Sequence, residues 1–156
     1  MDVNSLISLF GQETGTPLAL SEAGTLSLVF ESGPTVQLEH DPMIDALQCY
    51  VVLGQSPTDP AQRQKVYRRM LAANVFGHDT LGATLGLDEV TGELILSRCL
   101  ELSYADTAQL RSVLESMVPV ALDWQRRLAG SDIDGDSDAL MATPTGLPDP
   151  GFGMRA

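Results

Sequence analysis

Residues 84–100, TLGLDEVTGELILSRCL, carry the pattern that decides the fold. Within the run from residue 81 to residue 100, leucines alternate with other residues on both sides of a turn at Thr91 and Gly92, which predicts a two-stranded hairpin. The segment 103–128 follows at once, and its apolar residues recur at helical spacing. These residues are Leu110, Val113, Leu114, Met117, Ala121, Trp124 and Leu128. The sequence therefore predicts a hairpin that leads into a long amphipathic helix.

The first half of the chain changes from helical to strand periodicity. Residues 3–13 place apolar side chains close to the i, i+3, i+4, i+7 spacing, which predicts a short amphipathic helix. Residues 25–31 and 35–39 alternate around a turn at 32–34, and residues 46–53 are apolar almost throughout. The first two segments predict a hairpin with one covered face, and the third predicts a central strand.

A further helix is predicted from residue 60 to about residue 74. Asp59 suits the N-cap, Pro60 suits the first helical position, and Gln62 is the capping partner three residues after the cap. Four of the nine basic residues fall in this helix, beside an apolar stripe. The stripe consists of Val66, Met70 and Ala73, with Tyr67 and Leu71 adjacent. Two interpretations remain open: a solvated basic face on a core helix, or a helix that packs against a second subunit.

The predicted fold class is α+β, with an antiparallel twisted sheet flanked by three helices. For the last helix we expect an N-cap at Ser103, with Asp106 three residues on, and a kink or break near residues 115–118, because Pro119 removes a backbone hydrogen bond. Residues 130–156 are rich in proline, glycine and aspartate and lack periodicity. We therefore predict one domain over residues 1–129 and a disordered acidic tail over residues 130–156.

The charge balance excludes several classes of partner. With 9 basic and 21 acidic residues, the formal net charge is −12. Phosphate would repel such a surface, so nucleic acids and anionic membranes are poor candidates. The sequence has no apolar run of about 18 residues that could span a bilayer. Its first residues, MDVNSLISLFGQETG, lack the basic start and cleavage site of a signal peptide, which predicts a cytoplasmic protein.

The sequence offers little support for catalysis or for a metal site. The alternating acids of residues 132–138 resemble a calcium loop, but glycine stands at the fourth position and Thr143 at the twelfth, where glutamate is required. The glycine-rich segment 77–84 lacks the lysine of a phosphate loop. Both histidines precede an aspartate, but neighbours on a strand point to opposite faces. Cys49 and Cys99 lie in apolar runs and are expected to be buried, reduced thiols. We therefore predict no enzymatic activity, no cofactor and no metal.

A small acidic domain without catalytic chemistry is expected to bind other proteins. An edge strand presents unpaired N–H and C=O groups that can pair with an extended partner, and apolar pockets can select alternate side chains of that partner.

The chain resembles the class I type III secretion chaperones, the Tir-chaperone group, over residues 3 to about 128. The resemblance rests on the order of helix, three strands, helix, hairpin and long helix. It also rests on the phrases SLISLFGQETGTPLALSEAGTLSLVFE, VYRRMLAANVF, ATLGLDEVTGELILSRCLEL and LRSVLESMVPVALDW, which occur in this order. Members of this family are non-enzymatic bacterial homodimers of the cytoplasm.

The resemblance implies a function and two sets of site residues. Each dimer would hold an N-terminal segment of a secreted effector in extended form, soluble and ready for secretion, and components of the secretion apparatus would be further partners. The dimer helix would correspond to residues 60–74 and use Val66, Tyr67, Met70, Leu71 and Asn74. The effector would bind the first helix and the exposed sheet through Leu6, Leu9, Phe10, Leu26, Leu28 and Phe30, for which plain core packing is the alternative.

Two features depart from the family pattern. Pro119 interrupts the last helix, and the acidic tail from residue 130 is additional. From its length and charge we infer that the tail covers the binding surface when no client is present. A different class of function also remains open, namely a small adaptor or regulator of the same fold that binds a folded protein. An unrecognised hydrolase would require a nucleophile beside His40 or His78.

Overall fold

The computed structural model describes residues 2–31, 33–130 and 133, together with the backbone of residues 154–155. It confirms an α+β fold with an antiparallel sheet and three α-helices. A short 3₁₀ turn, Val75–Gly77, follows the second helix. In chain order the elements are α1 (Val3–Thr14), β1 (Thr25–Phe30), β2 (Thr35–Asp41), β3 (Ala46–Gln55), α2 (Pro60–Ala73), β4 (Thr84–Asp88), β5 (Glu93–Glu101), α3 (Thr107–Gly130) and β6 (Met154–Arg155).

The strands form a single sheet in the order β4-β5-β3-β2-β1-β6. All neighbouring strands run antiparallel. The apolar strand β3 lies in the interior between β2 and β5, as its sequence predicts, because a strand with neighbours on both sides can bury a continuous apolar run. The hairpin β4–β5 turns at Gly92, whose φ of 74° lies in the left-handed region that glycine tolerates.

One face of the sheet packs against the helices and forms the core. In β3 the inward positions Leu47, Cys49, Val51 and Leu53 are all buried. The apolar stripe of α3 packs onto this face, with Leu110, Met117 and Trp124 at most 2% exposed. Burying a side chain of this size stabilises the fold by about 1.5–3 kcal/mol. This packing leaves the opposite face of the sheet without a helix among the residues described.

The first two helices begin at aspartate caps. Asp2 accepts a hydrogen bond from the Ser5 backbone N–H at 3.1 Å, and α1 ends at Gly15 in the left-handed conformation. Asp59 accepts one from the Gln62 N–H at 2.8 Å, with Pro60 at the first position of α2 as expected. Each such cap stabilises its helix by about 1 kcal/mol.

The start of α3 differs from its prediction. The helix begins at Thr107, and Asp106 accepts a hydrogen bond from the Gln109 N–H at 2.7 Å. The predicted cap at Ser103 was therefore wrong, because residues 102–104 form a turn before the helix starts.

The break predicted near residues 115–118 does not occur, since α3 is one continuous helix from Thr107 to Gly130. Pro119 and Glu115 are both exposed, so water can reach the Glu115 carbonyl that lacks its usual N–H donor. The neighbouring Met117, Val120 and Ala121 are fully buried. Their packing holds the helix across the proline.

The two cysteines are free and differ in exposure. Cys49 is fully buried as predicted, and burial raises the pKa of its thiol to about 12. Cys99 is exposed, which corrects its prediction. On β5 the buried positions are Leu94 and Leu96, so the alternation turns Cys99 to the opposite face.

Most of the predicted tail, residues 130–156, lies outside the described residues. Gly130 is the last residue of α3, Ile133 is buried, and the backbone of Met154–Arg155 pairs with β1. The boundary of the domain at residue 129 and the disorder of the tail stay predictions. In the described part of the chain, no helix is both long and apolar enough to cross a membrane.

Candidate partner-binding surfaces

Most residues of the predicted effector-binding set lie in the core of this structure. Leu6 and Leu28 are fully buried and Phe10 is 2% exposed, while Leu26 and Phe30 are each 8% exposed. Arg111 covers the ring of Phe10, with its guanidinium carbon 5.3 Å from the ring centre. These five side chains therefore cannot meet a partner without movement of the helices that cover them.

Leu9, the sixth member of that set, is 41% exposed on the outer side of α1. On β1, buried and exposed residues alternate strictly, which accounts for the burial of Leu26, Leu28 and Phe30. The apolar positions face the helices, and the outward positions are Thr25, Ser27 and Val29. A partner that approaches β1 in this structure meets these three residues. None of them belongs to the predicted effector-binding set.

A wide groove lies across the uncovered face of the sheet. Its volume is about 890 Å³, and Tyr50 of β3 and Ile95 of β5 supply apolar surface there. Carboxylates surround that surface, and the described lining residues include no lysine or arginine. The carboxylates are those of Glu39, Asp41, Asp88 and Glu93. The groove is thus a negatively charged trough with an apolar floor.

Tyr50 reports the electrostatic character of this groove. Burial raises the pKa of its hydroxyl group, and the negative charges of Glu39 and Glu93 raise it further. The same negative potential favours a cationic ligand group.

The helix α2 has two distinct faces. Val66 and Met70 are buried in the core, whereas Leu71 is 70% exposed. Tyr67 is half-buried, and its hydroxyl lies 2.6 Å from the Ser56 hydroxyl. On the outward face, a shallow depression is lined by Pro60, Arg63, Gln64, Tyr67, Arg68 and Leu71. The predicted dimer residues of this helix therefore fall into two groups. Val66 and Met70 belong to the core, whereas Tyr67 and Leu71 contribute to an accessible apolar surface.

The turn after α2 exposes two further apolar side chains. Val75 is 56% exposed and Phe76 is 90% exposed. Phe76 has a φ of 57°, which is uncommon for a bulky residue. The Gly77 N–H donates to the Asn74 carbonyl at 3.1 Å, and the Gly82 N–H donates to the Gly77 carbonyl at 3.1 Å. These bonds fix the backbone that presents an aromatic ring to solvent, which is typical of an interaction site.

Asn74 binds the outer edge of β4. Its side-chain amide donates to the Leu85 carbonyl at 3.0 Å and accepts from the Leu85 N–H at 2.9 Å. The amide therefore makes the two hydrogen bonds that a neighbouring strand would make. Just before β4, the Ala83 N–H donates to the Thr80 carbonyl at 3.0 Å. Asn74, which was predicted to lie in a dimer interface, thus has a function within the chain.

The opposite edge of the sheet is formed by β1. The Gly33 N–H donates to the Phe30 carbonyl, and the His40 N–H donates to the Gly24 carbonyl, so the even-numbered backbone groups of β1 point toward β2. The odd-numbered groups at Thr25, Ser27 and Val29 consequently point outward.

Two of the three outward positions on β1 have partners. The Ser21 N–H donates to the Thr25 carbonyl at 2.8 Å, and the Thr25 N–H donates to the Ser21 hydroxyl at 3.1 Å. Val29 stands opposite Arg155 of β6. Ser27 lies between them, and among the described residues no strand stands opposite it on this side.

The residues that could support chemistry are dispersed. No group of three or more His, Cys, Asp and Glu side chains in the described ranges could hold a metal ion. The calcium-like acids at 132–138 lie outside the described residues. His40 is one of the residues that line the groove. His78 is exposed, and its neighbour Asp79 forms an ion pair with Arg69 at 3.4 Å.

Solved structures of similar fold include chains of three complexes. A chain of the HopA1–SchA chaperone–effector complex has a TM-score of 0.59 and 20% identity, over 78% of this chain and 88% of that chain. A chain of the ExsC–ExsE complex has a TM-score of 0.64 and 22% identity, over 81% of this chain and 96% of that chain. A chain of the ExoT–SpcS complex from Pseudomonas aeruginosa has a TM-score of 0.53 and 26% identity, over 73% of this chain and 89% of that chain.

No curated protein matches the sequence at a significant level. The sequence model of one family, however, matches residues 5–125, which include most of α1, the strands β1 to β5, α2 and most of α3. The resemblance drawn from the sequence phrases is thereby confirmed. The chain belongs to the Tir chaperone protein (CesT) family.

Proposed function

We propose that this protein is a type III secretion chaperone that binds an N-terminal segment of a secreted effector in extended form and keeps it soluble and competent for secretion. The family match over residues 5–125 is the observation that carries this proposal. The structures of similar fold include a chaperone–effector complex, which supports the same kind of partner for this chain. The site of action is then the bacterial cytoplasm, and the work is binding without catalysis.

The client would bind by strand addition at the outer edge of β1. Ser27 and Val29 direct backbone groups outward there, and main-chain hydrogen bonds recognise any extended segment with little dependence on its sequence. Leu9, exposed on α1, offers apolar contact for client side chains. In this proposal the buried residues Leu6, Phe10 and Leu28 act indirectly, because they hold α1 and β1 in place.

The second copy of a homodimer would pack on the outward face of α2. Tyr67 and Leu71 line the depression on that face, and Phe76 is exposed in the turn that follows the helix. Aromatic side chains of this kind often dominate the binding energy of interfaces. A two-fold axis would bring the same patch of each subunit together. Val66 and Met70 support that surface from the core side.

Co-purification from the native cytosol, followed by limited proteolysis and mass spectrometry, tests the chaperone function. We expect a larger secreted protein whose protected part is one N-terminal stretch. A matched pair of variants sharpens the test: Val29→Pro removes an outward N–H, whereas Val29→Thr keeps the backbone intact. Capture should fall with the proline and persist with the threonine. Equal capture by both variants would place the client away from the β1 edge.

A second candidate function is an adaptor that binds a folded protein. The acidic groove favours it, because a trough with four carboxylates suits a basic, preformed surface. The same proteolysis experiment separates the two functions. A partner that resists protease uniformly along its length would support the adaptor and count against the chaperone.

A further inference from the structure

The C-terminal strand β6 occupies part of the edge to which a client would add. Val29 pairs with Arg155 and Phe30 pairs with Met154, in antiparallel register. Since the backbone groups of Val29 point away from β2, the Val29–Arg155 pair is the one that exchanges hydrogen bonds. The chain thus already contains one example of strand addition at β1.

We propose that Met154–Arg155 is an intramolecular competitor, which occupies the β1 edge in the free protein and is displaced when an extended client segment binds. This inference rests on the proposed function for the identity of the competing ligand. The occupation of the β1 edge by β6 follows from the strand register alone. Its partner is therefore defined by backbone chemistry, as any segment that can run extended along Ser27 and Val29.

The relative size of the two strands decides the competition. Arg155 can exchange two backbone hydrogen bonds with Val29. A client segment that passes along both Ser27 and Val29 can make about four such bonds. The longer strand therefore displaces the shorter one, while β6 still protects the edge from pairing with another molecule.

Amide exchange in the full chain tests the occupied edge without any client. We expect the Val29 N–H to exchange about tenfold faster in Arg155→Pro than in the unaltered chain, because proline cannot donate to the Val29 carbonyl. Arg155→Ala is the matched control, since it changes the side chain and keeps the backbone pair. The Leu28 N–H, which faces β2, should be unaffected in both variants.

Deletion of residues 154–156 provides a second variant that does not depend on the effect of proline. Faster Val29 exchange in this variant supports the proposal as well. If Val29 exchanges at the same rate with and without residues 154–156, β6 does not occupy the edge in solution and the proposal is wrong. This outcome leaves the chaperone function itself untouched.

Competition is then measured with the protected client fragment recovered by co-purification, carrying a fluorescent label. We expect Arg155→Pro to bind this fragment about threefold to tenfold more tightly than the unaltered chain, and Arg155→Ala to bind it equally well. Equal affinity for all three chains would overturn the competition even if β6 is present.

Discussion

The two edges of the sheet are protected in different ways. At β4, the side chain of Asn74, directly after α2, makes both outward hydrogen bonds to the backbone of Leu85. At β1, the covering group is a two-residue strand that is separated from the end of α3 by 23 residues of sequence. The first cover is anchored next to α2 by the surrounding fold, whereas the second can leave without disturbing the core. The difference separates a permanent edge from one that is available for exchange.

The largest expected effect comes from removing the permanent cover. Asn74→Ala leaves the N–H and C=O of Leu85 without their partners in a half-buried site, so we expect the free energy of unfolding to fall by about 2–3 kcal/mol. Urea unfolding at a fixed protein concentration measures it. Asn4→Ala, on the exposed side of α1, is the matched control and should change stability by less than about 0.5 kcal/mol. If the two variants proved equally stable, the β4 edge would not depend on Asn74.

The next effect concerns the face of α2 beside that edge. Leu71 is 70% exposed, so Leu71→Asp should leave the fold intact. In the proposed dimer it would bury an unpaired charge, and we expect the dimer to weaken by about 2 kcal/mol or more, which is roughly 30-fold in the dissociation constant. Sedimentation equilibrium measures this. Val90→Asp, at a 95% exposed position in the β4–β5 turn, should leave the dimer unchanged. A dimer insensitive to Leu71→Asp would use another surface.

The smallest effect is expected at the β1 edge. Arg155→Pro removes a backbone pair on an exposed edge, where water replaces the lost partner, so stability should fall by less than about 1 kcal/mol. The urea experiment used for Asn74→Ala gives the comparison directly. A loss as large as that of Asn74→Ala would mean that both covers are structural, and the contrast between the two edges would disappear.

The sequence predicts the elements of this fold well because alternation and helical spacing follow from burial on one face. The N-cap at Asp59, the proline at the first position of α2, the turn at Gly92 and the strand parity of β1 are all local features. They do not by themselves separate core residues from a binding surface. The family resemblance implied Leu26, Leu28 and Phe30 as effector contacts, and in this structure all three are buried in the core.

The accessible surfaces depend on tertiary placement that no local pattern encodes. The function of Asn74 arises only once α2 has packed beside β4, and an asparagine near the end of a helix gives no sign of it. The exposure of Phe76 depends on a left-handed backbone conformation in a short turn. Pairing of residues 154–155 with β1 joins two segments that are far apart in the sequence. Of the predicted surface residues, Leu9 and Leu71 could be found because they interrupt or flank an otherwise regular stripe.

The contrast between the two cysteines makes the protein a ready subject for site-selective labelling. Cys49 is fully buried with a pKa of about 12, so its thiol stays protonated and out of reach of alkylating reagents. Cys99 is exposed and pairs across the sheet with Gln48, a residue that lines the acidic groove. A maleimide dye would therefore attach at Cys99 alone, beside the uncovered face, without any change to the sequence. The natural protein thus contains its own reporter for ligands that enter the groove.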